Sequence, residues 1–335
     1  MRIAFAGTPP VAVPSLELLV QSAQHQVVAA ITRPDAPAGR GRQNQPSAVA
    51  TAADNLGLEV LKPGRPDDQL FSERLAQLDL DAIAVVAYGA LVPESMLAIP
   101  KYGWINLHFS LLPTWRGAAP IQRAIEHGDE ITGATTFQII KELDAGPVFG
   151  YMTYQLPPRA TSGEVLRTLA LEAAPLLCST LDAIADGSAR PVEQAAGEAT
   201  YAPKLTSQDA QIRFDRPAMA IDRLIRACTP APGAWVQFRG SRLGLGPVSV
   251  IWADKDDAGS TNSAARTSGT AIAHDAAAPR VPSLLPGQLL ATKRAVWVGT
   301  ATTPVSLDTV TPAGKAPMEA TAWARGQRLT EQDHF

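Results

Sequence analysis

Four short runs within the first 110 residues are apolar at nearly every position: RIAFAG at 2–7, VVAAIT at 27–32, AIAVVAY at 82–88 and WINLH at 104–108. A strand with one face in water alternates apolar and polar residues, so a run without alternation belongs to a sheet covered on both faces. The stretches between these runs carry apolar residues at helical spacing, and a strand that returns through a helix pairs parallel to its predecessor. The chain is therefore expected to build an α/β domain around a Rossmann-like, mostly parallel sheet. In such sheets ligands sit beyond the carboxyl ends of the strands.

The fourth run breaks its own pattern. It continues as WINLHFSLLPTWRGAAPIQ, residues 104–122, and places Asn106 and His108 two apart in an otherwise apolar strand. Side chains alternate along a strand, so this polar pair shares one face while Ile105 and Leu107 share the other. ATTFQII and VFGYMTYQL follow, joined through KELDAGP, and read as a hairpin or broad turn carrying Asp144. One long helix is expected from Ser162 to Asp186. Thr161 and Glu164 make a capping box, Val165, Leu166, Leu169, Ala173, Leu177, Leu181 and Ile184 form a stripe, and Gly187 stands at the C-terminal glycine position.

With 335 residues and 46% hydrophobic composition, the chain is long enough for a second core. Beyond residue 205 the texture changes to brief β-rich pieces with Gly and Pro turns, GAWVQFRG, LGLGPVSVIW, GQLLATKRAVWVGT and PVSLDTVTP, which predict a small OB-like β-barrel. Domain boundaries of 1–204 and 205–335 follow. The Ala/Ser/Thr/Asp-rich stretch at about 253–282 is read as a flexible insertion in a barrel loop. Residues 1–205 hold 15 Lys+Arg against 21 Asp+Glu, a balance of −6, whereas 206–335 hold 14 against 11, or +3. An anionic partner is thus favoured on the C-terminal part. No run approaches the roughly 18 apolar residues of a membrane span, and MRIAFAG is too short for a signal peptide, so a cytoplasmic address is expected. Cys178 and Cys228 have no metal-ligand spacing around them and read as core residues.

Taken singly, the chemistry-bearing residues each have an ordinary explanation. AGTPP after the first strand lacks the G-x-G-x-x-G spacing of a dinucleotide site. PDAPAGRGRQNQP at 34–46 reads either as a solvated surface loop or, through Arg40 and Arg42, as a phosphate-gripping one. His108 suits a core as well as a site, and Asp144 suits an Asx-turn.

As a set, GTP at 7–9, PAGRG at 37–41, INLHFSLLPTWRGAAPIQ, LDAGPV at 143–148 and PAGKAPM at 312–318 closely resemble the methionyl-tRNA formyltransferase family, nearly end to end apart from the 253–282 insertion. The Asn, His and Asp pattern belongs to all 10-formyltetrahydrofolate-dependent formyltransferases; the PAGRG and PAGKAPM segments are more particular to the tRNA enzymes. Phe109, Thr114 and Pro10 depart from the family's usual residues. The resemblance implies the formyltransferase fold in the first domain and transfer of a formyl group from 10-formyltetrahydrofolate to the α-amine of initiator methionyl-tRNA, without a metal. It implies Asn106 and His108 as stabilisers of the tetrahedral oxyanion, Asp144 as the carboxylate that orients the imidazole, and Ser110, Leu111, Leu112 and Pro113 as part of the folate site. The Gly89-containing YGALVP segment at 88–93 and the turn before Asp144 would be further walls, and the barrel with Arg40 and Arg42 would hold the tRNA acceptor arm. No protein partner is implied and a monomer is expected. Two rivals stand beside this reading: an amino-sugar nucleotide formyltransferase using the same three residues, and a non-catalytic RNA-binding protein on an enzyme scaffold.

Overall fold

A computed structural model describes residues 1–38, 43–65, 67–195, 197–250, 282–330 and 332–335. The expected insertion at 253–282, apart from Pro282, lies outside the described residues, as do Arg40 and Arg42. The chain forms two compact units, Met1–Leu205 and Thr206–Phe335.

In the first unit, strand β1 (Arg2–Gly7) leads through a short 3-10 turn into α1 (Val13–Val20), then β2 (Gln26–Ile31). A small antiparallel pair, β3 (Ala36–Ala38) and β4 (Gln43–Gln45), precedes α2 (Ala48–Asn55), β5 (Glu59–Leu61), α3 (Gln69–Gln77) and β6 (Ala82–Val86). Next come α4 (Glu94–Leu97), β7 (Trp104–His108), α5 (Pro120–His127), β8 (Ile131–Gln138), β9 (Val148–Gln155), α6 (Ser162–Glu172) and α7 (Ala174–Asp186). The seven-stranded sheet runs in the order β5-β2-β1-β6-β7-β8-β9. Its first five strands are parallel, and β8 and β9 are antiparallel to their neighbours. All five residues of β6 are buried, as expected of a central strand with both faces covered. On one face Ala4, Ala6, Ala29, Ile31, Ile83 and Val85 pack with Phe71 and Leu75 of α3 and with Trp104.

Two expectations are corrected. Residues 34–46 are not wholly loop, since β3 and β4 pair across them; three-residue strands reading Ala-Pro-Ala and Gln-Asn-Gln are too short and too weakly apolar to show as a strand pattern. The single helix over Ser162–Asp186 is two helices meeting at Ala173, because Pro175 in the first turn of α7 has no N–H for the preceding turn. The capping box at Thr161 and Glu164 and the left-handed Gly187 are both present, and the stripe from Val165 to Ile184 is buried except at Leu166, which is only partly covered. By length and hydropathy alone this pair would pass for a membrane-crossing helix. Its apolar stripe is instead spent on the core of this unit, with α7 packed on α1 and β9.

In the second unit, α8 (Ala218–Ala227) is followed by β10 (Trp235–Phe238), β11 (Ser241–Leu245), β12 (Val248–Val250), β13 (Leu289–Ala291), β14 (Val296–Val298), β15 (Val305–Leu307), β16 (Thr309–Pro312), β17 (Met318–Glu319) and α9 (Ala320–Gln327). The strands form two four-stranded antiparallel sheets, β10-β11-β16-β17 and β12-β15-β14-β13. Phe214, Phe238, Trp323 and Phe335 make one aromatic cluster, with ring centroids 5.1–6.3 Å apart.

Candidate active site

Strand β7 places its residues as the period of two requires. Ile105 and Leu107 are fully buried, Asn106 is half-buried, and His108 is buried except for 6% of its surface. The Asn106 amide makes no hydrogen bond to another described residue. His108 sits at the carboxyl end of β7 with the edge of its ring against Phe137, centroids 6.3 Å apart.

The turn between β8 and β9 brings in Asp144. Ile139 starts the turn level with Trp104, whose carbonyl accepts the Ile139 N–H at 2.8 Å. Asp144 nevertheless ends beside His108, its Oδ2 3.8 Å from Nδ1, so the turn doubles back along β7. That distance is an ion-pair contact and too long for a hydrogen bond. The Asp144 carboxylate is anchored elsewhere, accepting the Gly117 N–H at 2.7 Å. Its backbone is left-handed at φ 49°, a conformation that Asp tolerates better than most residues.

The imidazole is oriented by main chain. His108 Nε2 donates to the carbonyl oxygen of Trp115 at 2.9 Å. Since a carbonyl only accepts, Nε2 carries a proton, and Nδ1 is the ring nitrogen left outside that bond. Trp115 is held by two hydrogen bonds of its own. It is left-handed at φ 61°, its N–H donates to Thr200 Oγ1 at 2.8 Å, and its indole donates to Asp129 Oδ2 at 2.7 Å. Around it, Arg116 and Tyr201 form a parallel bridge, with Arg116 N–H on the Thr200 carbonyl and Ala202 N–H on the Arg116 carbonyl.

The four residues after Phe109 divide into two pairs. Ser110 is wholly buried and its hydroxyl donates to the Thr114 carbonyl at 2.6 Å, while Leu112 packs with Phe137 and Val148. Both side chains build the loop. Leu111 and Pro113 keep part of their surface exposed. Two further apolar side chains stand out on neighbouring segments: Leu143, next to Asp144, is 48% exposed, and Leu91, in YGALVP, is 79% exposed. Lys141 and Glu94 join these segments through an ion pair of 3.4 Å. Among the described residues no three His, Cys, Asp or Glu side chains gather as a metal would need. The Cys178 thiol is pushed up to about 11, chiefly by burial.

Residues 1–181 match the model of the formyl transferase family and residues 204–328 that of the formyl transferase C-terminal domain. The methionyl-tRNA formyltransferase of Thermobifida fusca is 53% identical over 335 residues, covering 100% of this chain and 99% of its own. The chain belongs to the methionyl-tRNA formyltransferase family. The family's member from Streptomyces coelicolor is 49% identical over 331 residues, with 99% of this chain and 98% of the relative covered. Among solved structures, the methionyl-tRNA formyltransferase of Clostridium thermocellum superposes with a TM-score of 0.54 at 16% identity, over 75% of this chain and 94% of that one. HypX from Aquifex aeolicus in complex with tetrahydrofolic acid superposes with a TM-score of 0.60 at 18% identity, over 97% of this chain and 47% of that one. At these identities the structural likeness establishes the fold. Sequence reasoning missed Trp115, Gly117, Gln194 and Thr200, which meet the site through backbone groups or from far along the chain.

Proposed function

We propose that this formyltransferase moves the formyl group of 10-formyltetrahydrofolate onto the α-amine of initiator methionyl-tRNA, with Asn106, His108 and Asp144 at the reacting centre. The observation that carries the reading is the pair Asn106 and His108 on one face of β7, with the Asp144 carboxylate 3.8 Å from His108 Nδ1.

The neutral amine attacks the formyl carbon, the carbonyl becomes an oxyanion, and the bond from carbon to folate N10 breaks as that nitrogen takes up a proton. The unengaged Asn106 amide is a ready N–H donor to the oxyanion. Because Trp115 holds Nε2, Nδ1 is the nitrogen His108 has left to relay a proton, with the Asp144 carboxylate 3.8 Å from it. The exposed surfaces of Leu111, Pro113, Leu91 and Leu143 suit the flat apolar face of a pterin, with Ser110 and Leu112 shaping the loop beneath. For the tRNA, the support is the +3 balance of residues 206–335 together with the Arg40 and Arg42 segment.

The deciding assay offers 10-formyltetrahydrofolate with charged initiator tRNA and, separately, with an amino-sugar nucleotide. Formylation of the aminoacyl-tRNA alone is the expected result. Formylation of the sugar amine alone would replace this reading with the amino-sugar one, and transfer to neither acceptor would leave the non-catalytic reading.

A further inference from the structure

Both loops that flank His108 converge on one side chain that the reaction itself does not call for. Gln194 lies beyond α7 and is half-buried. Its amide nitrogen donates to the carbonyl of Asp144 and to that of Gly146, both at 2.9 Å. Its amide oxygen accepts from Arg116 twice, from Nε at 3.1 Å and from Nη2 at 2.6 Å. One primary amide thus uses both donor hydrogens on the turn that carries Asp144 and both acceptor positions on the residue between Trp115 and Gly117. Those two neighbours are the groups that matter: the Trp115 carbonyl fixes His108 Nε2, and the Gly117 N–H fixes the Asp144 carboxylate.

We propose that Gln194 is a positioning residue for formyl transfer, clamping the 115–117 loop to the 144–146 turn so that both flanks of the His108 imidazole are set together. The proposal rests on the roles given above to His108 and Asp144. Neither loop has a regular element to hold it, and Asp144 and Trp115 both occupy left-handed backbone, so each must be over-determined by its surroundings. A charged group in place of the amide reverses half of the clamp. Glu at 194 still accepts from Arg116, but it has no hydrogens for the two carbonyls and sets a negative charge against them.

Single-turnover formyl transfer in Gln194→Met and Gln194→Glu tests this, with KM for both substrates, thermal midpoints, and His108→Ala as reference. The expected result is a fall of about 10- to 100-fold in the chemical step for both variants, with each KM within about threefold of the parent, since a displacement of about 1 Å at a reacting group costs that much. In a double-mutant cycle, Gln194→Glu added to Asp144→Asn is expected to cost less than about threefold further, because the Glu variant acts through the turn that carries Asp144. A protein that merely lost stability would instead show losses that multiply. Should Gln194→Met fail to fold, Gln194→Glu carries the test, since it keeps the contact to Arg116. Unchanged rates in both variants, or multiplying losses in the cycle, overturn the clamp. Transfer at the parent rate in His108→Ala would defeat the reading of the site itself, a separate result.

Discussion

The carbonyl oxygen of Trp115 lies 2.9 Å from His108 Nε2, and the Asp144 carboxylate stands 3.8 Å from Nδ1 on the other edge of the ring. A neutral group holds the ring in place and a carboxylate faces the other ring nitrogen. The hydrogen bond and the carboxylate therefore come to the ring from different residues, and substitutions separate their contributions.

His108→Ala, Asn106→Ala and Asp144→Ala are each expected to lower the chemical step by roughly two to four powers of ten while folate and tRNA still bind. Single-turnover rates beside equilibrium binding of each substrate check this. Asp144→Asn, which keeps an acceptor for the Gly117 N–H but removes the charge, is expected to lose less than Asp144→Ala. Equal losses would mean that anchoring the turn counts for nothing.

Gly117 is the point where backbone strain and chemistry meet. Its φ is +122°, and a Cβ there would lie 2.8 Å from the Ala202 carbonyl oxygen. Gly117→Ala must shift the loop, at a cost of about 1–3 kcal/mol, and it takes the N–H away from Asp144. Urea unfolding is expected to register that cost, and transfer at saturating substrate is expected to fall by more than tenfold. A destabilised variant with an unaltered transfer rate would free Gly117 from the site.

Arg40 and Arg42 are expected to act on tRNA alone. Replacing both with alanine should weaken transfer to methionyl-tRNA and reduce the log-log salt slope of tRNA binding by about 0.7–0.9 per lost phosphate contact. Arg40, inside PAGRG, is expected to contribute more than Arg42. The check sets transfer across a salt series beside the slow hydrolysis of formyl-folate in the same variants. Equal loss of both activities would indicate a folding defect, and an unchanged salt series would return the segment to a solvated surface.

The sheet and the shared face of Asn106 and His108 in the candidate site were legible for the same reason. Runs such as AIAVV and WINLH are apolar at nearly every position because they lie inside a covered sheet, and the period of two put Asn106 and His108 on one face. β5, only Glu59–Leu61, and the three-residue strands β3 and β4, Ala-Pro-Ala and Gln-Asn-Gln, carry no such signal. The break at Ala173 was written in Pro175, but a continuous apolar stripe outweighed it. The ties on Trp115 and Asp144 were out of reach of pattern, since they run to Thr200 and Gln194, 85 and 50 residues away, and largely use main-chain atoms.

His25 gives the first unit a pH dependence of its own. Its side chain is fully buried, and Nε2 lies 2.9 Å from Asp182 Oδ1 without the alignment of a hydrogen bond. Burial, and then the nearby N-terminal ammonium, lower its pKa, with Asp182 opposing them. A folded-state pKa below the unfolded value means that the unfolded chain binds the proton more readily. Stability is thus whole above the unfolded pKa of about 6.5 and falls as the pH drops from there through the folded pKa. Unfolding free energy measured from pH 7.5 to 5 should decline in the parent and flatten over that window in His25→Gln. Parallel curves would assign the dependence to other groups.

The turn that doubles back on β7 has a consequence for assembly. Asn106, His108 and Asp144 are all made before residue 145, but the segment that fastens their loops, from Gln194 to Ala202, comes about fifty residues later. At roughly 5–20 residues per second, a growing chain holds every reacting group for some seconds before it holds the strap that seats them. The order of synthesis therefore sets catalytic competence behind formation of the sheet. On refolding, recovery of formyl transfer is expected to follow the docking of that late segment, and a fragment ending before Gln194 would hold Asn106, His108 and Asp144 without the Gln194 bonds that join the two loops.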